Sequence, residues 1–328
     1  MANLETTYMG IKLKNPLIVG SSGLTNSIEN IIEIEKNGAA AVVLKSLFEE
    51  QINHAASNTI MQNEPGNYYP EAEDYIKHYT RMADVEKYID LIKAATKEVE
   101  IPIIASINCV SNSEWIDFAK RIEKAGADAL ELNVFVLPSD IKKDGSENEA
   151  VYFDIVKSIK DVVCIPVALK ISYYFSGLAK TINELSWTGI DSLVLFNRFY
   201  SPDFDIETME VKPSYIFSTP SDLSLSLRWV AMLSAHINCD IAASTGVHDG
   251  TALIKQLLAG AKAVQVTSVL YKKGFKEIGS MLEELENWMD KKNFASIDQF
   301  CGKLSVKKDE NPAAYERVQF MKHFSGIE

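Results

Sequence analysis

The chain has 328 residues, 47% of them hydrophobic, and a formal net charge of −12. This length and composition allow one large α/β domain with a sizeable core, while the negative charge argues against nucleic acid or an anionic membrane surface as the main partner. Four scattered cysteines without a CxxC pair predict no disulfide framework and no metal site, and the lack of a signal peptide or an apolar run of ~18 residues predicts a cytoplasmic protein.

Eight continuous apolar runs of strand length follow one another along the chain. They are residues 17–22, 41–46, 103–108, 129–134, 167–172, 192–197, 240–245 and 263–268. Most of the intervening segments, such as WIDFAKRIEKAG at 115–126, repeat their apolar residues with the 3.6-residue period of a helix. Continuous apolarity indicates strands that are buried on both faces, as in a parallel sheet covered by helices.

A repeated plan joins each helix to the next strand. EKNGAAAVVLKS at 35–46 and EKAGADALELNV at 123–134 both place a glycine between a helical end and an apolar run, and 186–198 and 257–268 follow the same order. Eight strand–helix units in about 250 residues predict an α/β fold of the (β/α)8 TIM-barrel type. We expect one domain over 1–328, with the barrel at about 16–292; an open doubly wound sheet is the alternative.

Three further segments lie outside this repeat. LETTYMGIKL at 4–13 predicts a hairpin that turns at Met9-Gly10 and covers the bottom of the barrel. The stretch from Phe48 to about Ala83 contains no strand pattern, and irregular segments of that length in a compact domain are usually functional or disordered. Residues 293–328 predict a helical extension.

Polar residues or glycine stand at the end of every predicted strand. In a barrel the C-terminal ends of the strands surround one site, so these residues should converge. Lysines within apolar runs are the strongest signal, because burying an unpaired ammonium group is costly and requires an anionic or carbonyl partner. The residues are Ser21, Ser22, Gly23, Lys45, Ser46, Asn108, Asn133, Lys170, Asn197, Ser244, Thr245, Gly246, Thr267 and Ser268.

The segment STGVHDG at 244–250 predicts a phosphate site. A glycine turn that opens onto a helix presents free backbone N–H groups and the positive end of the helix dipole. Thr267 and Ser268 add hydroxyl donors, at the place after strands 7 and 8 where barrels commonly bind phosphate. The leading hypothesis is a phosphorylated ligand held at this glycine turn and by these two residues.

These segments resemble the dihydroorotate dehydrogenase family, especially its soluble class 1 enzymes. NPLIVGSSGLT at 15–25 looks like the Asn-Pro…Ala-Ser-Gly opening of the family, and ALELNV at 129–134 looks like its Glu-Leu-Asn segment. PVALKISYYF at 166–175 is similar to the family pattern Val-Lys-Leu-x-Pro-Tyr-Phe, and residues 241–274 run parallel to its phosphate region.

The resemblance implies an FMN cofactor and oxidation of dihydroorotate, or a related small substrate, by hydride transfer to flavin N5, as in pyrimidine biosynthesis. It also implies a homodimer. By the same resemblance Lys170 lies near flavin N1 and O2, where a cation tunes the ring, and Lys45 and Asn133 lie at the catalytic centre. The other expected flavin or substrate contacts are Ser21, Ser22, Gly23, Ser46, Asn108 and Asn197, with the phosphate on Gly246, Val247, Thr267 and Ser268.

The substrate side departs from the family pattern. Val136 occupies the position of the class 1 cysteine base, three residues after Asn133, which leaves Ser139, Asp140 or the long loop to move the proton. The family's Asn-x-Met-Gly-Leu-x-Asn substrate loop is unrecognisable between residues 48 and 79. Arg198 stands where serine is usual, and STPSD at 218–222 replaces an expected Gly-Gly pair.

Two other functions compete with the oxidoreductase. One is an aldolase-like lyase that uses Lys170 or Lys45 as a Schiff-base amine on a sugar phosphate. The other is a flavin-binding protein without dihydroorotate turnover. Because a positioned general base contributes roughly 10²- to 10⁴-fold, we expect flavin reduction by dihydroorotate to be slow or absent with valine at 136. The visible absorbance of flavin and borohydride trapping of a carbonyl substrate separate the oxidoreductase from the lyase.

Overall fold

The computed structural model describes residues 2–48, 70–108, 115–198, 201–214, 216–307 and 315. The strands are β1 (Thr6–Tyr8), β2 (Ile11–Leu13), β3 (Leu17–Val19), β4 (Ala41–Val43), β5 (Leu47–Phe48), β6 (Ile103–Asn108), β7 (Ala129–Asn133), β8 (Val167–Ile171), β9 (Ser192–Leu195), β10 (Ser201–Asp205), β11 (Glu210–Ser214), β12 (Asp240–Ser244) and β13 (Ala263–Val266). The α-helices are α1 (Ile28–Lys36), α2 (Pro70–Glu98), α3 (Trp115–Lys124), α4 (Gly145–Lys160), α5 (Leu178–Ser186), α6 (Leu223–Leu233), α7 (Gly250–Ala259), α8 (Ser268–Lys273) and α9 (Lys276–Lys292).

Eight parallel strands close into a barrel. Around the ring they run β3, β4, β6, β7, β8, β9, β12 and β13, and β13 pairs again with β3. The pairing of β4 with β6 completes the closure, so the open doubly wound sheet is wrong and the TIM barrel is confirmed. Helices follow the strands and pack their apolar faces on the outside of the barrel, where residues from both layers form the main core.

The strands lie where the apolar runs predict them, but most of them are shorter. Strand β6 has the predicted bounds, whereas the other barrel strands end one to three residues before the predicted limits. The strands are shorter because the polar residues at their C-terminal ends no longer form the hydrogen bonds of the sheet and surround the mouth of the barrel instead. At the other end of the repeat, Gly38, Gly126, Gly189 and Gly260 all have positive φ, between 87° and 110°, as the predicted turns require.

The N-terminal hairpin fills the bottom of the barrel. Strands β1 and β2 pair antiparallel around Met9 and Gly10, which have φ of 53° and 75°. The Met9 backbone N–H donates to Asp240 Oδ2 at 2.8 Å, at the start of β12. Tyr8 and Met9 are buried in a second core together with small residues of the barrel strands. Because many of these residues are alanines, there is room inside the bottom of the barrel for the hairpin side chains. Those small residues are Ala41, Ala129, Ala168, Ala242 and Ala263.

Two segments differ from the sequence predictions. The stretch predicted to be irregular to about residue 83 is too long, because helix α2 already begins at Pro70. Proline is favourable at the first position of a helix: its φ is already helical, and the N–H group that it lacks would have no hydrogen-bond partner there. Residues 49–69 of that stretch lie outside the described residues. Within 293–307 the predicted helical extension is a 3-10 turn, Ile297–Gln299, followed by irregular chain, and most of 308–328 lies outside the described residues.

An antiparallel hairpin of β10 and β11 was missed from the sequence. It stands between β9 and α6 and exposes four apolar side chains to solvent. They are Phe204, Ile206, Met209 and Val211, whose exposed fractions lie between 65% and 88%. Among the described helices, none combines the length and the apolarity that a membrane crossing requires.

Candidate cofactor and substrate site

The predicted polar residues meet at the C-terminal mouth of the barrel. Asn108, Asn133 and Lys170 are paired in register on β6, β7 and β8, so they lie side by side at that edge. Asn197 extends the row beyond β9, and its Nδ2 donates to Asn133 Oδ1 at 2.6 Å. Successive side chains of a strand point to opposite faces, so only every second residue of a barrel strand faces the barrel axis.

A buried charged network lies directly beneath the mouth. Lys170 Nζ donates to Gln265 Oε1 at 2.9 Å and lies 3.7 Å from Glu131 Oε1. Gln265 Nε2 in turn donates to Glu131 Oε2 at 2.5 Å. Glu131 is only 1% exposed and Lys170 8%, so the ammonium group has the anionic partner that its burial requires. The network joins β7, β8 and β13 across the barrel.

Hydroxyl groups connect the first three barrel strands at the same level. Ser21 Oγ lies 3.0 Å from Ser46 Oγ, which lies 2.7 Å from Ser106 Oγ. Tyr88 of α2 fixes this row from outside, because its hydroxyl accepts the Ser106 N–H at 2.8 Å and donates to the Ser106 carbonyl at 3.0 Å. Burial raises the pKa of Tyr88, which therefore stays a neutral donor. Ser22 caps the adjacent 3-10 turn that begins at Gly23.

The predicted phosphate residues surround a cavity of about 220 Å³. Gly246 has φ of 82°, and a Cβ there would overlap the backbone N of Leu223 and lie 2.5 Å from its Cα. The residue must therefore be glycine, and the backbone can approach a ligand closely. Nine predicted residues line the cavity: Ser21, Lys170, Asn197, Ser244, Thr245, Gly246, Val247, Thr267 and Ser268.

Further donors that the sequence did not reveal border this cavity. The Ser218 N–H donates to Ser268 Oγ at 3.0 Å, and Ser218 Oγ lies 2.9 Å from His248 Nε2. Lys272 Nζ donates to the Ser218 carbonyl at 2.8 Å, which places a second cation at this end of the site. Burial, followed by the charges of Lys272 and Lys273, lowers the pKa of His248, so the imidazole is neutral at physiological pH.

A second cavity of about 520 Å³ adjoins the first. Asn197, Arg198, Ser244 and Thr245 line both cavities. The other walls come from the segment after β8, from the residue after β9, from the 3-10 turn Pro220–Asp222 with the residue before it, and from the start of α6. They include Tyr173, Tyr174, Phe196, Thr219, Ser221, Asp222 and Ser224.

The remaining predicted residues occupy different positions around the mouth. Lys45 is half-buried, and its N–H donates to the Thr25 carbonyl at 3.3 Å. Val136 is half-buried against the main core, and its N–H donates to the Tyr152 hydroxyl at 3.1 Å. Ser139 is exposed on the loop after β7 and, within the part of the chain described, is not among the residues that line either cavity.

The members of the site that were not assigned to it from the sequence are Glu131, Gln265, Arg198, Ser218 and His248, although Arg198 and Ser218 were noted as departures from the family pattern. A signal existed for two of them, because Glu131 and Gln265 interrupt the apolar runs ALELN and AVQV at inward positions. The other three lie on irregular segments, whose direction no periodicity reveals. No group of three or more potential metal ligands occurs among the described residues.

A sequence model of the family described as dihydroorotate dehydrogenase matches residues 3–289. The chain is 28% identical over 316 residues to a protein of Thermoplasma volcanium named dihydroorotate dehydrogenase B (NAD(+)), catalytic subunit, with 94% of this chain and 100% of that protein covered. It is 26% identical over 310 residues to the protein of the same name from Thermoplasma acidophilum, covering 92% and 99%. A third relative with that name, from Methanothermobacter thermautotrophicus, is 26% identical and covers 91% of this chain and 97% of its own.

Proposed function

Because this chain belongs to the dihydroorotate dehydrogenase family, we propose that it is an FMN-dependent oxidoreductase acting on the CH–CH bond of dihydroorotate or a related small substrate. The observation that carries the proposal is the cavity at Gly246. There a glycine backbone, two hydroxyl residues and the buried Lys170 network meet at the end of the barrel where such enzymes place their sites.

The residues present fit the phosphate of a flavin nucleotide. The tight approach of Gly246 to Leu223 leaves no room for a side chain at that position. Gly246 and Val247 of this turn both line the cavity. Thr267 and Ser268 supply hydroxyl donors from the next strand end, and a phosphate bound there needs such donors from several directions. We propose that these groups, with Val247, hold the phosphate of FMN.

The row of polar residues across the mouth fits the flavin ring. When bound, FMN supplies the hydride acceptor, and the protein contributes orientation and charge. Lys170 would place its positive charge beside the ring, held in position by Gln265 and Glu131. Asn133 and Asn197, which hydrogen-bond each other, would share their remaining donors and acceptors between ring and substrate. Ser21, Ser22, Gly23, Lys45, Ser46 and Asn108 complete the proposed contacts.

The lyase alternative loses support in this arrangement. A Schiff-base lysine must offer a neutral amine to its substrate. Lys170 is instead engaged as a cation, since it donates to Gln265 and pairs with the buried carboxylate of Glu131. The named relatives are oxidoreductases throughout.

The group that accepts the substrate proton differs in this chain from the cysteine of class 1 enzymes. Val136 cannot accept a proton, and its side chain packs against the core. Ser139 stays a prediction: because it is exposed, its action on a bound substrate requires the loop after β7 to fold over the mouth. The Tyr173 hydroxyl, which lines the 520 Å³ cavity, is neutral, since its hydrogen bond with Tyr174, together with burial, raises the pKa of Tyr173 to about 12.

A second protein chain is part of the proposal. The relatives are named catalytic subunits of NAD(+) enzymes, which supports a partner subunit that passes electrons to NAD+. A homodimer is a separate expectation, and the exposed apolar side chains of the β10–β11 hairpin are the surface where we expect a second copy. Sedimentation of the purified chain tests this expectation, and a monomer at all concentrations would contradict it.

Anaerobic reduction of the bound flavin by dihydroorotate tests the proposed reaction. We expect slow bleaching in the wild type and faster bleaching in Val136→Cys, because a cysteine on the loop after β7 supplies a general base, worth roughly 10²- to 10⁴-fold, when that loop folds over the bound substrate. Fast bleaching in the wild type, with no gain in the variant, would support the reaction and assign the base elsewhere. No bleaching in either protein, while dithionite bleaches both, would rule out dihydroorotate as the substrate.

A further inference from the structure

Three departures from the family pattern line the same cavity. Tyr173 stands where the pattern Val-Lys-Leu-x-Pro-Tyr-Phe has proline, and Arg198 stands where serine is usual. The residues that replace the expected Gly-Gly pair contribute Thr219, Ser221 and Asp222. These positions come from three separate segments of the chain, yet all face the 520 Å³ cavity beside the cofactor cavity. The phosphate end keeps the family pattern while this wall has changed, so the wall is where substrate contacts particular to this chain would arise.

Arg198 brings a positive charge to this wall. Its Nη1 donates to the Ile216 carbonyl at 2.7 Å, which uses one of the five N–H donors of the guanidinium group. Among the described residues, no carboxylate lies within ion-pair distance of it. Asp222 lines the cavity too, but its Oδ2 accepts the Thr219 N–H at 2.6 Å and the Thr219 hydroxyl at 3.1 Å, so that carboxylate is engaged in capping the turn.

Aromatic rings form the side of the cavity near Arg198. The rings of Tyr173 and Tyr174 have centroids 4.6 Å apart, and Phe196 meets Tyr173 edge-on at 5.9 Å. Tyr173 is 37% exposed, so part of its surface is open to a ligand. Flat π surfaces next to a guanidinium group suit a planar ring that carries an anionic group.

We infer that Arg198, which stands where the family pattern has serine, binds the carboxylate of the proposed substrate and that Tyr173 contacts its ring. The inference rests on the proposed function, because Asn197, Ser244 and Thr245 place this cavity against the one assigned to the cofactor. The guanidinium fork matches a carboxylate with two parallel N–H···O bonds. The cofactor phosphate is the other anion that the same chemistry suits, and the experiment separates the two.

Orotate, a planar carboxylic acid, and uracil, the same ring without the carboxylate, are suitable probes. Calorimetric titration of the purified holoprotein gives both affinities without relying on a flavin signal, and flavin content is measured separately. In Arg198→Gln we expect the dissociation constant for orotate to rise about 10- to 100-fold, the scale of a charge-assisted hydrogen-bonded pair. Uracil affinity and FMN content should change by less than about twofold, since neither depends on that carboxylate contact.

Two further variants make the result specific. Arg198→Lys keeps the charge but loses the fork, and should recover part of the orotate affinity. Arg121→Gln removes the same kind of side chain at a remote position, where it pairs with Glu86 at 2.6 Å, and should behave as the wild type.

Several outcomes would overturn the inference. They are wild-type protein that binds orotate no more tightly than uracil, an Arg198→Gln variant that binds orotate normally, and equal weakening of both probes. Loss of FMN from Arg198→Gln, with orotate affinity unchanged after reconstitution, would assign the residue to the phosphate instead. A purified wild type without FMN contradicts the proposed function, whereas the orotate titration still decides the role of Arg198.

Discussion

Replacing Lys170 by Met tests both the stability and the redox role of the buried network. Methionine keeps much of the side-chain volume but removes the cation, so the Glu131 carboxylate, 1% exposed, keeps Gln265 as its remaining bond. Removing one partner of a buried ion pair typically costs about 3–5 kcal/mol. With an unfolding entropy of about 2.1 cal/mol/K per residue, that loss lowers the Tm of this chain by ~4–7 °C.

The double variant Lys170→Met, Glu131→Gln is the matched control. It removes both charges and keeps a group at 131 that can bond to Gln265, so most of the lost stability should return. Thermal unfolding of wild type, both single variants and the double variant gives the coupling energy. Additive losses in the two single variants would show that the residues act independently, which would refute the interpretation of the pair as one network.

The redox potential of the bound flavin responds to the same variants with opposite sign. Lys170→Met removes positive charge beside the proposed ring position, so the midpoint potential should fall. Glu131→Gln leaves the lysine without its counter-charge, so the potential should rise. Spectroelectrochemical titration measures both changes. An unchanged potential in both variants, with FMN still bound, would mean that Lys170 is only structural.

Three more predictions concern residues around the network. Gly246→Ala should prevent FMN binding and lower the Tm, because the added Cβ overlaps the backbone of Leu223 at positive φ; retention of FMN on a gel-filtered sample would contradict this. Tyr88→Phe should destabilise by about 1–3 kcal/mol, because it leaves the buried Ser106 N–H without a partner; urea unfolding measures the loss. The pKa of His248 is lowered in the folded state, so the unfolded chain binds more protons as the pH falls through about 6.5, and the free energy of unfolding declines there. His248→Gln should make the free energy of unfolding less dependent on pH in this range. An unchanged pH dependence would contradict the lowered pKa of His248.

The barrel and the convergence of polar residues on a cavity at Gly246 were predictable from the sequence because both depend on local patterns. Continuous apolar runs and glycine turns predict the strands, and the glycine turn between β12, the seventh barrel strand, and the helix after it predicts the close backbone approach at Gly246. The network of Lys170, Gln265 and Glu131 was not predictable, since two of its members are 134 residues apart and meet only when the barrel closes. The exposure of Ser139 and the direction of Arg198 depend on irregular chain after β7 and β9, where no period indicates which side chains face the site.

We propose that this barrel carries FMN with its phosphate at Gly246. The most direct test is native mass spectrometry of the purified chain beside Gly246→Ala, with the released cofactor identified by mass. We expect one FMN per chain in the wild type and none in the folded variant. A wild type without flavin, a different flavin, or full FMN occupancy in Gly246→Ala would contradict it.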